Sequence, residues 1–351
     1  MTVKKILIFH GGGIGDMIMA IPAIEGLKSR FSQAEIEVLT ISRSAEVLRG
    51  FLPSENIHLL SSEWVAKARG LKKIWNFLED IKLLLVLRAK QFSTAIDLMG
   101  VESKIASIKR AALFYILNVR DRYGRKSLGF SFYLTAAVSE DLCGDMHEVE
   151  RMLAVVRLLG VKVQKPRLRI KIDSNDRKIA EDFFSIHMLL EKRNVIAISP
   201  GCVKQTRQWG IKNFIRTGQI LQKIYRVPVL VIGGSNDVSL VDQICAGIEN
   251  SIEVIGFPLH HLAAIFERCT LLISNDSGPM HVAASVGLRT VAIFGPENPN
   301  RYRPYGLGNR SIVIHNKVKC SPCVKYECRS MRCLNSVSVD DVVEAVRRLM
   351  T

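Results

Sequence analysis

The apolar run Ile6–His10 ends in Gly11-Gly12-Gly13-Ile14-Gly15-Asp16, and helical periodicity follows as far as Arg30, with Met17, Ile18, Ile21, Ile24 and Leu27 on the apolar side. A second short apolar run follows at Glu35–Thr40. Strand, glycine loop, helix, strand opens a βαβ unit, and such units build parallel sheets with helices on both faces. Ligands of these sheets bind beyond the carboxyl ends of the strands. The loops at those ends are therefore where chemistry is expected.

Further along, Trp64–Arg88 reads as one long helix, and Ala95–Leu98 and Ala112–Asn118 read as strands. A charged stretch, Lys162 to Arg177, breaks the pattern, and the βα alternation then restarts. Val195–Ser199, Val227–Ile232, Leu271–Ser274 and Thr290–Phe294 read as strands. Helices are expected near Ile211–Tyr225, Val238–Glu249, Leu259–Arg268 and Pro279–Val286. Ser338 and Asp341 form a capping-box pair that opens a closing helix, with Val339, Val342, Val343, Val346 and Leu349 on one face. At roughly 150 residues per domain, 351 residues give about two. The expected division is residues 1–168 and 169–337, two similar α/β halves that could form a cleft.

The first glycine loop fails the dinucleotide pattern G-x-G-x-x-G, because Asp16 or Ile18 stands where the third glycine belongs. An aspartate at a helix start also repels a pyrophosphate. Asp16 reads equally as a helix cap and as a carboxylate that accepts a proton from a hydroxyl. Gly12, Gly13 and Gly15 beside it allow close backbone approach to a ligand.

A second loop, Ser274-Asn275-Asp276-Ser277-Gly278-Pro279-Met280-His281, leaves a strand and opens a helix. Pro279 suits the first helical position, and the amides of Ser277 and Gly278 suit a phosphate or diphosphate. His281 reads evenly as a phosphate donor or a core histidine. The loop Pro200–Gly210 brings Lys204, Arg207 and Trp209, and a cation there can neutralise a departing diphosphate.

Taken together, these segments resemble glycosyltransferase family 9, the bacterial heptosyltransferases of lipopolysaccharide core assembly and their relatives. The resemblance rests on Gly15-Asp16-x5-Pro22, Ser199-Pro200-Gly201 with Arg207-x-Trp209, Asp276-Ser277-Gly278-x-x-His281, Phe294-Gly295-Pro296 and Cys320-x-x-Cys323. It implies a GT-B fold of two Rossmann-like domains, with helix 338–351 packing back on the first domain. It implies inverting transfer of heptose from ADP-heptose, or of a related sugar from another nucleotide sugar, to a lipopolysaccharide inner-core acceptor, with no cofactor required for catalysis. By position, Asp16 is the base and Arg207, where the family often has lysine, meets the diphosphate with Ser277, Gly278 and His281. Asp276 then faces the donor sugar, Phe257 lies near the adenine, and Asp237 meets the ribose. The run Gly11–Gly13 departs from the bulkier polar residues common in the family.

Formal charge is +16, from 49 Lys and Arg against 33 Asp and Glu, which points to an anionic partner. From Trp64 to Lys126 there are 14 basic residues against five acidic ones. The resemblance assigns this half to a lipid A/Kdo-type anionic glycolipid and the inner face of the cytoplasmic membrane, with the protein peripheral and cytoplasmic. The longest apolar run in that region, Leu83–Leu87, is far short of the roughly 20 residues that span a bilayer. A competing reading is a basic nucleic-acid-binding protein, but Trp75, Phe92, Phe114, Tyr115 and Tyr123 fall at spacings that suit a core. The expectation is therefore a nucleotide-sugar donor and no nucleic acid. Cys320, Cys323, Cys328 and Cys333 stand within 14 residues among lysines and arginines, and a structural zinc site is one reading of them. Disulfides and free thiols are the others.

Overall fold

The structure is a computed structural model that describes residues 4–61, 72–101, 103–127, 131–323 and 325–351. It divides into two compact units, 1–166 and 167–351, two residues before the expected boundary.

In the first unit, β1 (Lys5–His10), β2 (Glu35–Ile41), β3 (Ile57–Leu60), β4 (Thr94–Asp97), β5 (Asp121–Lys126) and β6 (Ala136–Ser139) form one sheet. Every pairing is parallel, and the order is β3-β2-β1-β4-β5-β6. Residues 6–10 of β1 are buried on both faces, as a central parallel strand requires. Leu7, Phe9, Leu39 and Ala95 pack with Leu84, Leu87, Leu113, Phe114 and Leu117 from helices Lys72–Ala89 and Lys104–Leu117. The expected strand at Ala112–Asn118 is the second half of the latter helix. Ser103 caps that helix by accepting from the Ala106 amide, so residues 110, 113, 114 and 117 fall on one buried face. The start of the expected long helix, Trp64–Leu71, lies outside the described residues.

The second unit repeats the plan with β7 (Ile196–Ser199), β8 (Val229–Gly233), β9 (Ile252–Ile255), β10 (Leu271–Asn275), β11 (Arg289–Ile293) and β12 (Ser311–Ile314). The order is β12-β11-β10-β7-β8-β9, again wholly parallel. Its core joins Ile196, Ile198, Val231, Ile273 and Val291 to Phe214 and Leu221 of helix Ile211–Tyr225. Helix Val339–Met350, with the Ser338–Asp341 capping box in place, differs from its expected position. Val342, Ala345, Val346 and Leu349 insert into this second core, against helix Ile211–Tyr225 and strands β11 and β12, so its apolar stripe is used there.

Candidate active site

Each sheet reverses its strand order once, between β1 and β4 in the first unit and between β7 and β10 in the second. Ligands of doubly wound sheets bind at such switch points. The four loops that leave these strands hold most of the expected site residues.

After β1, Gly13 is the N-cap of helix Ile14–Arg30, and its amide donates to Asp16 Oδ2 at 2.9 Å. Asp16 is therefore a cap, as one of its two readings required, and it is half-buried at the mouth of this loop. Gly15 lies in the first turn. Gly12 must be glycine, because a Cβ there would stand 2.6 Å from Asp16 Cβ.

Around β1, β4 and β5 lies an ionic network that the sequence did not announce. Asp97, at the end of β4, accepts from Arg110 Nη1 at 2.6 Å and from the Tyr133 hydroxyl at 2.9 Å. The Arg110 guanidinium stacks 3.8 Å from the centre of the Phe9 ring. Arg125, 1% exposed, pairs with Glu148 at 2.6 Å and Glu140 at 3.5 Å. Burial and then the Asp97 charge push the Tyr133 hydroxyl far above its usual range, so it stays protonated. His10 is fully buried and neither ring nitrogen has a hydrogen-bond partner. Burial, then Arg110, lowers its pKa to about 3, which keeps it neutral. These contacts join residues 13 or more apart in sequence, beyond the reach of local patterns.

This network absorbs part of the basic excess expected to face a membrane. Arg110 and Arg125 are buried in ion pairs, Lys90 meets buried Glu37 at 2.7 Å, and Arg122 Nη1 donates to the Val119 carbonyl at 2.6 Å. The outward face of the region is partly apolar. Helix Lys72–Ala89 exposes Phe77, Leu78, Leu85 and Val86 beside Lys82 and Arg88, and helix Lys104–Leu117 exposes Ile105, Ile108 and Tyr115 beside Lys104. Phe92 and Phe114, weighed as base-stacking aromatics, belong to the core. Among the described residues no helix is long and apolar enough to cross a membrane.

In the second unit, the loop after β7 and the loop after β10 are tied by Asn275. Its Nδ2 donates to the Pro200 carbonyl at 2.7 Å, and its Oδ1 accepts from the Trp209 amide at 3.1 Å. Trp209 is turned inward. It is 3% exposed, packs edge-to-face on Phe214, and donates its indole N–H to the Val337 carbonyl at 2.9 Å, so it anchors the loop from inside. Arg207 Nη1 lies 3.1 Å from buried Asp276, while Arg207 Nη2 and Lys204 Nζ both reach Glu297, the latter at 2.9 Å. Glu297 was missed because it is 90 residues from Arg207. Burial alone would lower the Arg207 pKa, but Asp276 and then Glu297 outweigh it, and the net shift is upward.

Ser277 is the N-cap of helix Gly278–Ser285, extended in backbone and without a side-chain cap bond. A Cβ on Gly278 would meet no protein atom within 4 Å, so packing alone does not demand glycine there. His281 is buried within the same helix. Asp237 caps helix Val238–Gly247 and accepts from the Gly234 amide at 2.9 Å, and a Cβ on Gly201 would stand 2.7 Å from its Oδ2. Phe257 is half-buried and meets Phe183 edge-to-face at 5.6 Å.

Cys320, Cys323, Cys328 and Cys333 are free thiols around one cavity of about 10 Å³, room for one water. Among the described residues, no three His, Cys, Asp or Glu side chains are grouped so as to hold a metal ion. No step below is routed through a metal.

Two doubly wound, wholly parallel six-stranded sheets are the architecture of the GT-B class. Residues 81–333 match Glycosyltransferase family 9 (heptosyltransferase), and the chain belongs to that family. It is 24% identical over 358 residues to lipooligosaccharide heptosyltransferase 2 of Campylobacter jejuni subsp. jejuni serotype O:6, covering 99% of each chain. Among solved structures it resembles the family 9 glycosyl transferase of Veillonella parvula, with a TM-score of 0.80 and 23% identity over 100% of this chain and 98% of that one. It also resembles E. coli ADP-heptose lps heptosyltransferase II, with a TM-score of 0.74 and 20% identity over 99% and 98%.

Proposed function

We propose that the protein transfers heptose from ADP-heptose, with inversion, to the inner core of a lipopolysaccharide precursor. The observation that carries this reading is the pairing of Arg207 with Asp276 at the carboxyl end of β10, beside the open backbone at Gly278. Cation, amides and helix N-terminus together suit a diphosphate that gains charge as it leaves.

In this account Asp16 takes the proton from the acceptor hydroxyl as its oxygen attacks the anomeric carbon. The bond from that carbon to the phosphate oxygen breaks, and the diphosphate departs with the electron pair. Arg207, Lys204, Ser277, Gly278 and His281 bind the diphosphate. Asp276 orients the sugar, and Phe257 and Asp237 receive the adenosine. Two cations supply the positive charge that the leaving group needs, which supports a reaction without a metal cofactor. The outward face of helices Lys72–Ala89 and Lys104–Leu117 mixes apolar and basic side chains, as a surface resting on an anionic bilayer does. That supports a peripheral enzyme at the inner face of the cytoplasmic membrane, acting on a lipid A/Kdo-type glycolipid.

A screen of nucleotide sugars against wild type, Asp16→Asn and Asp16→Ala tests the reading. Turnover of ADP-heptose by wild type alone supports it. Failure of every nucleotide sugar to bind or react would overturn it.

A further inference from the structure

Glu297 follows Phe294-Gly295-Pro296 beyond β11 and is 3% exposed. A single oxygen, Oε1, accepts from both Lys204 Nζ and Arg207 Nη2. Arg207 Nη1 is held by Asp276 at 3.1 Å, and Arg207 Nε is buried without a hydrogen-bond partner. The Lys204 ammonium also sits 4.3 Å from the centre of the Tyr326 ring, which fixes it from another side. The two cations assigned to the diphosphate are thus matched by two carboxylates.

We propose that Glu297 sets the affinity of this site by standing in for the phosphate, holding Lys204 and Arg207 until a nucleoside diphosphate takes its place. The inference rests on the reading that a diphosphate binds beside Arg207. Carboxylate and phosphate oxygens are equivalent partners for a guanidinium fork and for an ammonium. A carboxylate tethered within hydrogen-bond distance competes at high effective concentration, so it weakens donor and product alike. Its benefit falls on the release of a multiply charged product from a site with two cations. It also keeps those cations ordered, since without a counter-charge two like charges on the 204–207 turn repel.

Calorimetric titration of ADP and of inorganic pyrophosphate into wild type, Glu297→Gln and Glu297→Asp tests this. Glutamine removes the competing charge at constant shape, and both probes are expected to bind about tenfold tighter or more, the range of one charge-assisted hydrogen bond. Aspartate keeps the charge on a shorter stem and is expected to fall between wild type and Glu297→Gln. Stronger product inhibition by ADP should accompany the tighter binding. Unchanged or weaker binding in a folded variant overturns the inference, as does failure of both variants to fold, which would make Glu297 a core residue. Wild type that binds neither probe overturns the functional reading itself, an outcome separate from wild type that binds and a variant that does not tighten.

Discussion

A Cβ on Gly12 would stand 2.6 Å from the Cβ of Asp16 and 2.8 Å from its Oδ2. The glycine is therefore the space that the carboxylate occupies, and the Gly13 amide fixes that carboxylate from the helix side. The second unit repeats the device with Gly201 against Asp237. Gly12→Ala should push Asp16 out of position and cost about 1–3 kcal/mol of stability through overpacking. Transfer should fall with little change in donor KM, as read by thermal unfolding and initial rates. Unchanged kcat would mean that the position of Asp16 does not matter to the reaction.

Asp16→Asn keeps an oxygen for the Gly13 amide and removes the proton acceptor. Its unfolding temperature should lie near that of wild type, while kcat should drop roughly 10²–10⁴-fold, the usual worth of a general base. Donor KM should hold. A variant with full activity would leave Asp16 as a cap and nothing more.

Arg207 bridges two buried carboxylates. Arg207→Lys keeps the charge but loses the planar fork that grips a diphosphate through two N–H groups, so ADP affinity should fall about tenfold, the cost of one lost charged contact. Arg207→Met removes the cation that pairs with buried Asp276 and should lose about 3 kcal/mol or more of stability. Titration and chemical denaturation separate the two effects, and equal ADP affinity in wild type and Arg207→Lys would remove Arg207 from the diphosphate.

His10 makes stability depend on pH in a known direction. Its folded pKa, about 3, lies below its unfolded value near 6.5, so the unfolded chain binds the proton first as pH falls. The contribution is complete above about pH 6.5 and is lost on descent toward pH 3, at up to about 1.4 kcal/mol per pH unit. His10→Leu removes the group without stranding a hydrogen-bond partner. Denaturation at pH 7.5 and pH 5 should therefore show wild type losing about 2 kcal/mol relative to His10→Leu. Parallel pH profiles would place His10 in solvent or in a hydrogen bond.

What was legible in the sequence was local. The glycine loops, the proline at the start of helix Gly278–Ser285 and the Ser338 cap each depend on neighbours within a few residues, and each sits where its turn chemistry implies. Residues 112–118 misled because a short apolar run suits a strand or a buried helix, and the deciding signal, the Ser103 cap, lies upstream of the run. Counting charges gave the total but not its full placement, since composition cannot show that Arg110 and Arg125 spend their charge on Asp97 and Glu148. Trp209 could be placed in its loop, but its contacts with Phe214 and the Val337 carbonyl come from outside that loop. Glu297 carries no local mark at all, and only the folding of β7, β10 and β11 side by side brings it to Lys204 and Arg207.

The central claim is a single inverting transfer from an ADP-sugar. Its most direct test incubates the purified protein with ADP-heptose and an inner-core glycolipid acceptor, following ADP release and the anomeric configuration of the product by NMR. The account predicts acceptor-dependent ADP release, a product of inverted configuration, and loss of both in Asp16→Asn. A folded wild type that neither binds nor consumes ADP-heptose, or a product that retains the donor configuration, would contradict it.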